Sequence, residues 1–207
     1  MTTPMSKPLS RRLSNAAVPV ALALALTSCS VVKANVDSYR PLPSTSLVPP
    51  EQALHTLDTL LDDSLGQVQP RLQYWDAWPT STEQAGGIDD HSLGYATASR
   101  DRYIMTKIDP AKYTTLLGMV EKGWRAKGYT VATPAGIALP SLAARTSDGN
   151  SVSITIYTHG NISISASVYR IPVIRDHDPF GTPTPVPVTT NGDPDILPKY
   201  EDPFWSH

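Results

Sequence analysis

The distribution of proline along the chain limits where regular structure can form. Proline lacks a backbone N–H and interrupts helix interiors and central strands. Of the 20 prolines, seven precede Glu51, five lie between residues 51 and 170, and eight follow Ile171. The sequence therefore predicts one folded domain over 51–170, a flexible tether over 29–50 and a proline-rich, mostly disordered tail over 171–207.

The first 28 residues have the composition of a secretory signal peptide. Basic residues precede an apolar stretch from Ala16 to Leu26, and the first acidic residue is Asp37. This stretch is shorter than the roughly 20 apolar residues that a helix needs to cross a bilayer. We therefore interpret residues 1–28 as a cleaved signal and not as a membrane span.

The sole cysteine, Cys29, directly follows Leu26-Thr27-Ser28. Small residues before a cysteine at the cleavage site are typical of a bacterial lipobox, in which the thiol is acylated and becomes the new N-terminus. Two or three acyl chains, each contributing about 0.8 kcal/mol per buried CH₂, would make the anchoring permanent. The pattern predicts lipidation of Cys29 and a location on the extracytoplasmic face of the cell membrane.

Charge and cysteine content argue against several classes of function. Removing residues 1–28 takes away three basic residues and no acidic one, so the formal charge goes from −2 to −5. An acidic chain is a poor partner for nucleic acid. Once its only cysteine is acylated, the mature domain has no thiol for a disulfide, a metal site or a nucleophile.

Hydrophobic periodicity predicts an α+β fold. Apolar residues recur at helical spacing over 53–68 and 113–124. The last two strands alternate strictly between apolar and hydroxyl residues, which is typical of an antiparallel sheet with one covered face. We expect about five to six strands with two helices on one face, in the order α-β-β-α-β-β-β-β, and a polar loop over 79–90. The predicted strands cover 72–78, 93–108, 129–133, 142–146, 152–156 and 162–168.

Two features of the predicted sheet suggest a partner or ligand surface. Strand alternation places Trp75 on one face and Trp78 on the other, and one of these faces could stack on a sugar ring or an apolar chain. Ser153, Ser163 and Ser165 line the polar face of the last two strands, where they could hydrogen-bond a glycan or another strand. Tryptophans buried in the core and serines that simply face solvent are the structural alternatives.

The sequence contains no nucleophile elbow, phosphate loop, dinucleotide fingerprint or zinc-protease motif. Asp89-Asp90-His91 and Asp176-His177-Asp178 offer residue types that bind divalent metals. Neighbouring residues seldom all point at one ion, however, and both runs have loop-like composition. We therefore predict no catalytic residue, metal or cofactor, and interpret both runs as solvated loop charge.

The chain resembles a family of small actinobacterial, Streptomyces-type membrane lipoproteins of uncharacterised function. The resemblance covers roughly residues 20–170 and implies location and architecture, without catalytic residues. It rests on the Leu26-Thr27-Ser28-Cys29 lipobox with the Leu-rich helix after it, on Trp75-Asp76-Ala77-Trp78-Pro79, on Ser99-Arg100-Asp101-Arg102-Tyr103-Ile104-Met105, on Val120-Glu121 with Trp124, on Gly128-Tyr129 and on the final Ser-Ile alternation.

Besides a purely structural or chaperone-like lipoprotein with proline-rich ends as recruitment segments, two hypotheses of function follow. The first is a non-enzymatic, lipid-anchored envelope module that binds another envelope protein, a cell-wall polymer or a small ligand. The second is a small envelope enzyme, or an accessory factor of a cell-wall enzyme, that uses Asp and His residues of the 86–91 loop. A deep pocket holding His91 with two carboxylates would favour the second hypothesis, and a flat sheet face the first.

We expect the Cys29→Ala precursor to lose its retention in the membrane, because no thiol remains to carry the acyl chains. Cell fractionation combined with fatty-acid labelling of the full-length protein measures this. Ser30→Ala, one residue further on, should be retained like the native chain. Undiminished retention of Cys29→Ala would contradict lipidation at this position.

Overall fold

The computed structural model describes residues 46–86, 90–136 and 138–207, and the predicted signal peptide and Cys29 lie outside them. All described residues belong to one compact unit, Leu42–His207. Within them, two α-helices, one 3-10 helix and seven strands follow one another along the chain. They are α1 (Pro50–Leu65), β1 (Tyr74–Asp76), β2 (Thr80–Gly86), β3 (His91–Ile104), the 3-10 helix (Pro110–Lys112), α2 (Tyr113–Ala126), β4 (Thr130–Ala132), β5 (Ser141–Arg145), β6 (Ser151–Ile156) and β7 (Ile162–Ile171).

The strands form one antiparallel sheet in the order β1-β3-β7-β6-β5-β4, and β2 also pairs with β3. Strand β1 pairs with the end of β3, while β2 pairs with its beginning, so both lie along the same side of β3. The α+β class, the antiparallel sheet and the two helices confirm the prediction. The sheet has seven strands, however, where five to six were expected.

The additional strand is β2, which occupies the segment that we expected to be a polar loop. Its sequence, Thr-Ser-Thr-Glu-Gln-Ala-Gly, has no apolar alternation. It pairs only with β3, and most of its side chains are exposed or partly exposed. An edge strand in this position is held by its backbone ladder and needs no apolar face, so hydrophobicity alone does not reveal it.

The core lies between the helices and one face of the sheet. The even-numbered side chains of β3, β6 and β7 form that face. Trp124 of α2 is completely buried, and its indole N–H donates to Ser64 Oγ of α1 over 3.0 Å. Ser64 Oγ in turn donates to the Leu60 carbonyl at 2.7 Å. The helical periodicity thus predicted the correct buried side. The other core residues include Leu57, Leu61, Leu116, Val120, Ala98, Ile104, Val152, Ile154, Ile156, Ile162, Ile164, Ala166 and Val168.

The predicted helix signals are present at both ends of the second helix. Asp109 accepts a hydrogen bond from the Ala111 N–H at 2.8 Å, and Pro110 follows it as the first helical residue. The first turn is a 3-10 turn, which leads into α2. Gly128 has a φ of 80°, the left-handed conformation that ends a helix and that glycine adopts without a steric penalty.

The C-terminal tail is docked on the domain, so the predicted disorder of residues 171–207 is wrong. Trp205 is 0% exposed, and its indole N–H donates to the Pro70 carbonyl at 2.8 Å. Its own carbonyl accepts from the Asp109 N–H at 2.7 Å. Proline limits regular hydrogen bonding, but carbonyls and aromatic side chains can still order such a segment when a large ring is buried. The folded unit therefore extends past the predicted boundary at residue 170.

No helix among the described residues is long and apolar enough to cross a membrane.

We expect Trp205→Ala to lower the free energy of unfolding by about 3–5 kcal/mol, because it leaves a cavity in the core and an unpaired Pro70 carbonyl. Leu197→Ala is the control, since this side chain of the tail is 55% exposed and should contribute roughly 1 kcal/mol or less. Chemical denaturation of both variants measures the difference. Equal and small losses would mean that the tail is not docked in solution.

Candidate functional site

The face of the sheet opposite the helices, here called the outer face, carries three rows of polar and aromatic side chains. Odd-numbered residues of the central strands point to it, and the strand register places them side by side. Neighbours in a row are about 4.8 Å apart and successive rows are about 7 Å apart. The rows are Trp75, Tyr103, Ser163 and Thr155; then Asp101, Ser165 and Ser153; then Ser99, Ser167 and Ser151.

Asp101 lies in the middle row and organises the hydroxyls around it. Ser165 Oγ donates to Asp101 Oδ1 at 2.5 Å, and the Tyr103 hydroxyl approaches Oδ2 at 3.5 Å. Burial raises the pKa of Tyr103, and the negative charge of Asp101 raises it further, so Tyr103 stays protonated and available as a donor. Asp101 is therefore a partly buried carboxylate whose hydrogen-bond donors here are neutral hydroxyls.

Aromatic rings border the polar rows at both ends. The Trp75 and Tyr103 rings lie 4.8 Å apart at 40°, and the Trp75 indole N–H donates to the Asp195 carbonyl of the tail at 2.9 Å. Tyr157 follows β6 directly and is 41% exposed. At the opposite end of the face, the Tyr169 ring is 40% exposed and its hydroxyl lies 3.3 Å from Ser151 Oγ. The face therefore combines stacking surfaces with hydrogen-bonding groups.

Four of the five residues predicted to form a binding surface share the outer face, and one does not. Trp75, Ser153, Ser163 and Ser165 lie on it, although Ser163 is only 6% exposed because it sits between Tyr103 and Thr155 in its row. Trp78 lies elsewhere.

Trp78 follows β1, and its indole N–H donates to Asp178 Oδ2 at 2.9 Å. Asp178 lines a cavity together with Pro50 and Leu54 at the start of α1. Trp78 thus fastens the tail beside the helix, which is a structural role. Trp78 therefore lies on the side opposite Trp75, as strand alternation predicts, and does not contribute to the outer face.

Arg102 forms a buried ion-pair network on the helix side of the sheet that the sequence reading missed. It is 3% exposed, and its Nε and Nη2 donate to the two oxygens of Asp76 at 2.6 and 2.9 Å. Nη2 also donates to Asp62 Oδ1 of α1 at 2.9 Å. Burial opposes the charge of the guanidinium, but the bonds to Asp76 and Asp62 prevail and raise the pKa of Arg102.

Arg100 forms a second ion pair between the sheet and α1. Its Nη1 contacts Asp58, and its Nε donates to the Ala77 carbonyl at 2.9 Å. A spacing signal for both pairs exists in the sequence. Acidic residues four apart on a helix are about 6 Å apart along its axis, and basic residues two apart on a strand are separated by about 7 Å. Asp58 and Asp62 therefore match Arg100 and Arg102 one to one.

The predicted Asp/His runs do not form a metal centre among the described residues, which contain no group of three or more His, Asp or Glu side chains suited to an ion. Asp90 and His91 are exposed, and Asp89 lies outside the described residues. In the second run, His177 Nδ1 pairs with Asp176 Oδ1 at 2.9 Å on the surface. Asp178 accepts instead from Trp78 and from the Phe180 N–H.

A cavity of about 580 Å³ lies beside Arg102, between the end of α1 and β1. Its charged lining includes Asp62, Arg71 and Arg102. The Asp62 and Arg102 charges are already paired with each other. This cavity is accordingly a weaker candidate for a binding site than the outer face.

No protein-family model matches this chain, and no curated protein matches it either. The assignment of function therefore depends on the geometry of the outer face.

We expect Arg102→Met to lower the free energy of unfolding by about 2–3 kcal/mol, because it leaves the largely buried Asp76 carboxylate without its partner, while the exposed Asp62 is solvated. Arg125→Met is the control, since Arg125 forms an exposed pair with Glu121 one helical turn away, worth about 0.5 kcal/mol or less. Denaturation curves at neutral pH compare them. A loss for Arg102→Met no larger than that of the control would mean that the network does not hold α1 to the sheet.

Proposed function

We propose that this protein is a lipid-anchored cell-envelope module that binds another envelope component through its outer face and catalyses no reaction. The observation that carries the proposal is the layout of that face. Hydroxyls from three adjacent strands, one carboxylate and flanking aromatic rings lie side by side on the face of the sheet away from both helices. Rings for stacking and hydroxyls for orientation are the usual components of binding surfaces for polar ligands.

The proposed anchor gives this surface a location. Lipidation of Cys29 would hold the N-terminus in the membrane, and the resemblance to actinobacterial lipoproteins agrees with that position. The segment from Ser30 to Thr45, if extended at about 3.1 Å per residue, would let the domain reach on the order of 50 Å from the bilayer. The outer face would then be free to meet components of the cell wall or neighbouring envelope proteins.

The positions of the ionisable groups favour binding over catalysis. The alternative enzyme needs several catalytic side chains converging in the 86–91 loop. Asp90 and His91 are both exposed there, at the turn that leads into β3. On the outer face, Asp101 accepts hydrogen bonds from Ser165 and Tyr103 and lies between rows of hydroxyl side chains, an arrangement suited to holding a ligand.

We test this proposal by crosslinking in intact cells, using the full-length lipidated protein and identifying both proteins and wall fragments by mass spectrometry. Ser153→Arg places a long charged side chain in the middle of the outer face and should abolish capture of the binding partner. Thr59→Arg is the matched control, because it makes the same kind of change on the exposed surface of α1.

The two variants separate the possible outcomes of this experiment. A crosslinked partner that is lost from Ser153→Arg and retained by Thr59→Arg supports the proposal. Equal capture by both variants would show that the outer face is not the contact surface. No reproducible crosslink with the native chain, together with turnover of a wall substrate, would favour the enzyme hypothesis.

A further inference from the structure

We propose that the outer face recognises a glycan bearing a free ammonium group, and that Asp101 provides the opposite charge. This inference rests on the binding function proposed above and specifies its ligand. It follows from three observations: the charge balance around Asp101, the aromatic rings beside it, and the hydroxyl composition of the rest of the face.

The charge of Asp101 is not balanced by a cation in the described part of the chain. Its two contacts are the hydroxyls of Ser165 and Tyr103. The acidic residues of the opposite face differ in this respect, because Asp58, Asp62 and Asp76 are all paired with Arg100 or Arg102. A partly buried carboxylate surrounded by neutral groups has lost part of its stabilising hydration. Attraction to a cationic ligand can compensate for that loss. Charge complementarity at this point therefore favours a positively charged group.

Aromatic rings beside the carboxylate favour an ammonium over a metal ion. Tyr103 is next to Asp101 along β3 on the same face, and its ring contacts that of Trp75. Tyr157 directly follows β6 at the same end of the face and is 41% exposed. Ammonium groups bind at ring faces through the ring quadrupole, and a carboxylate nearby adds to the attraction. One cationic group would then meet Asp101 and the aromatic end of the face together.

The rest of the outer face favours a polyhydroxylated chain over a lysine side chain of a partner protein. Beyond Asp101, the side chains that β3, β6 and β7 add to the rows are small hydroxyls, including Ser99, Ser151, Ser153 and Ser167, and β5 continues the row of Ser151 with Arg145, three strands away from Asp101. Protein interfaces have an apolar centre, which these rows lack. Hydroxyls both donate and accept, as sugar hydroxyls require. From Tyr103 to Thr97, beside Tyr169, the face extends about 20 Å along β3, enough for several sugar units.

The test uses the full chain and two tetrasaccharides that differ only at nitrogen: a glucosamine tetramer with free amines and its fully N-acetylated counterpart. Calorimetric titration is made below the pKa of the sugar amine. We expect the native protein to prefer the amine form by about tenfold, as one charge-assisted contact predicts. Asp101→Asn should remove this preference. Asp148→Asn should keep it, because it makes the same charge change in the exposed turn between β5 and β6.

A salt titration of the native chain tests the inference without any variant. The preference for the amine form should shrink as salt rises, because a partly exposed ion pair is screened. Equal affinity for both sugars, or a preference that persists in Asp101→Asn or in high salt, would overturn the ammonium assignment.

The failure of this inference is distinguishable from that of the proposed binding function. If neither sugar binds, but cells yield a protein partner that Ser153→Arg loses, the ligand is a protein and only the glycan inference falls. If neither sugar binds and no partner is lost from Ser153→Arg, both the inference and the proposed function fall.

Discussion

Strict alternation along the three central strands determines both faces of this sheet. In β3, β6 and β7, each apolar residue that meets the helices is followed by a polar or aromatic residue on the outer face. A slip of one residue in β6 or β7 would place serines in the core instead of Val152 or Ile164. The same slip in β3 would turn Asp101 towards the core. The core thus fixes the register, and the register in turn sets the rows of the outer face.

Ion pairs and the tail attach the remaining elements to this sheet. Arg100 and Arg102 occupy helix-side positions of β3 where an apolar residue would be expected, and each reaches an aspartate one turn apart on α1. Because a buried arginine is tolerated only with partners in place, these pairs also specify how α1 lies on the sheet. In the C-terminal tail, the Trp205 side chain is buried beside Pro70. The tail backbone there forms hydrogen bonds with residues 105–109.

The sequence predicted the features that periodicity and local chemistry determine. Both helices, the Asp109 cap, the stop at Gly128 and the serine faces of β6 and β7 follow from spacing and residue type. Three features depended on partners distant in the chain. Strand β2 is polar because it is an edge, the order of the tail depends on a pocket that Trp205 fills, and the role of Trp78 depends on its contact with Asp178. Of the candidate site, Trp75 and the serines were predictable. Asp101 was not, because its importance lies in the absence of a nearby cation among the described residues.

The two faces of β3 show how the same residue type acquires different roles. On the helix side, carboxylates are matched by arginines, as in the 2.6 Å bond that Arg102 Nε donates to Asp76, and their charges stabilise the fold. On the outer face, Asp101 meets hydroxyls alone, and Ser165, Tyr103 and the backbone hold it in place. Folding supplies the helix-side charges with their counter-ions, whereas it leaves the charge of Asp101 to be balanced by solvent or by a ligand. That difference, more than the presence of aromatic rings, is the physical reason to assign binding to the outer face.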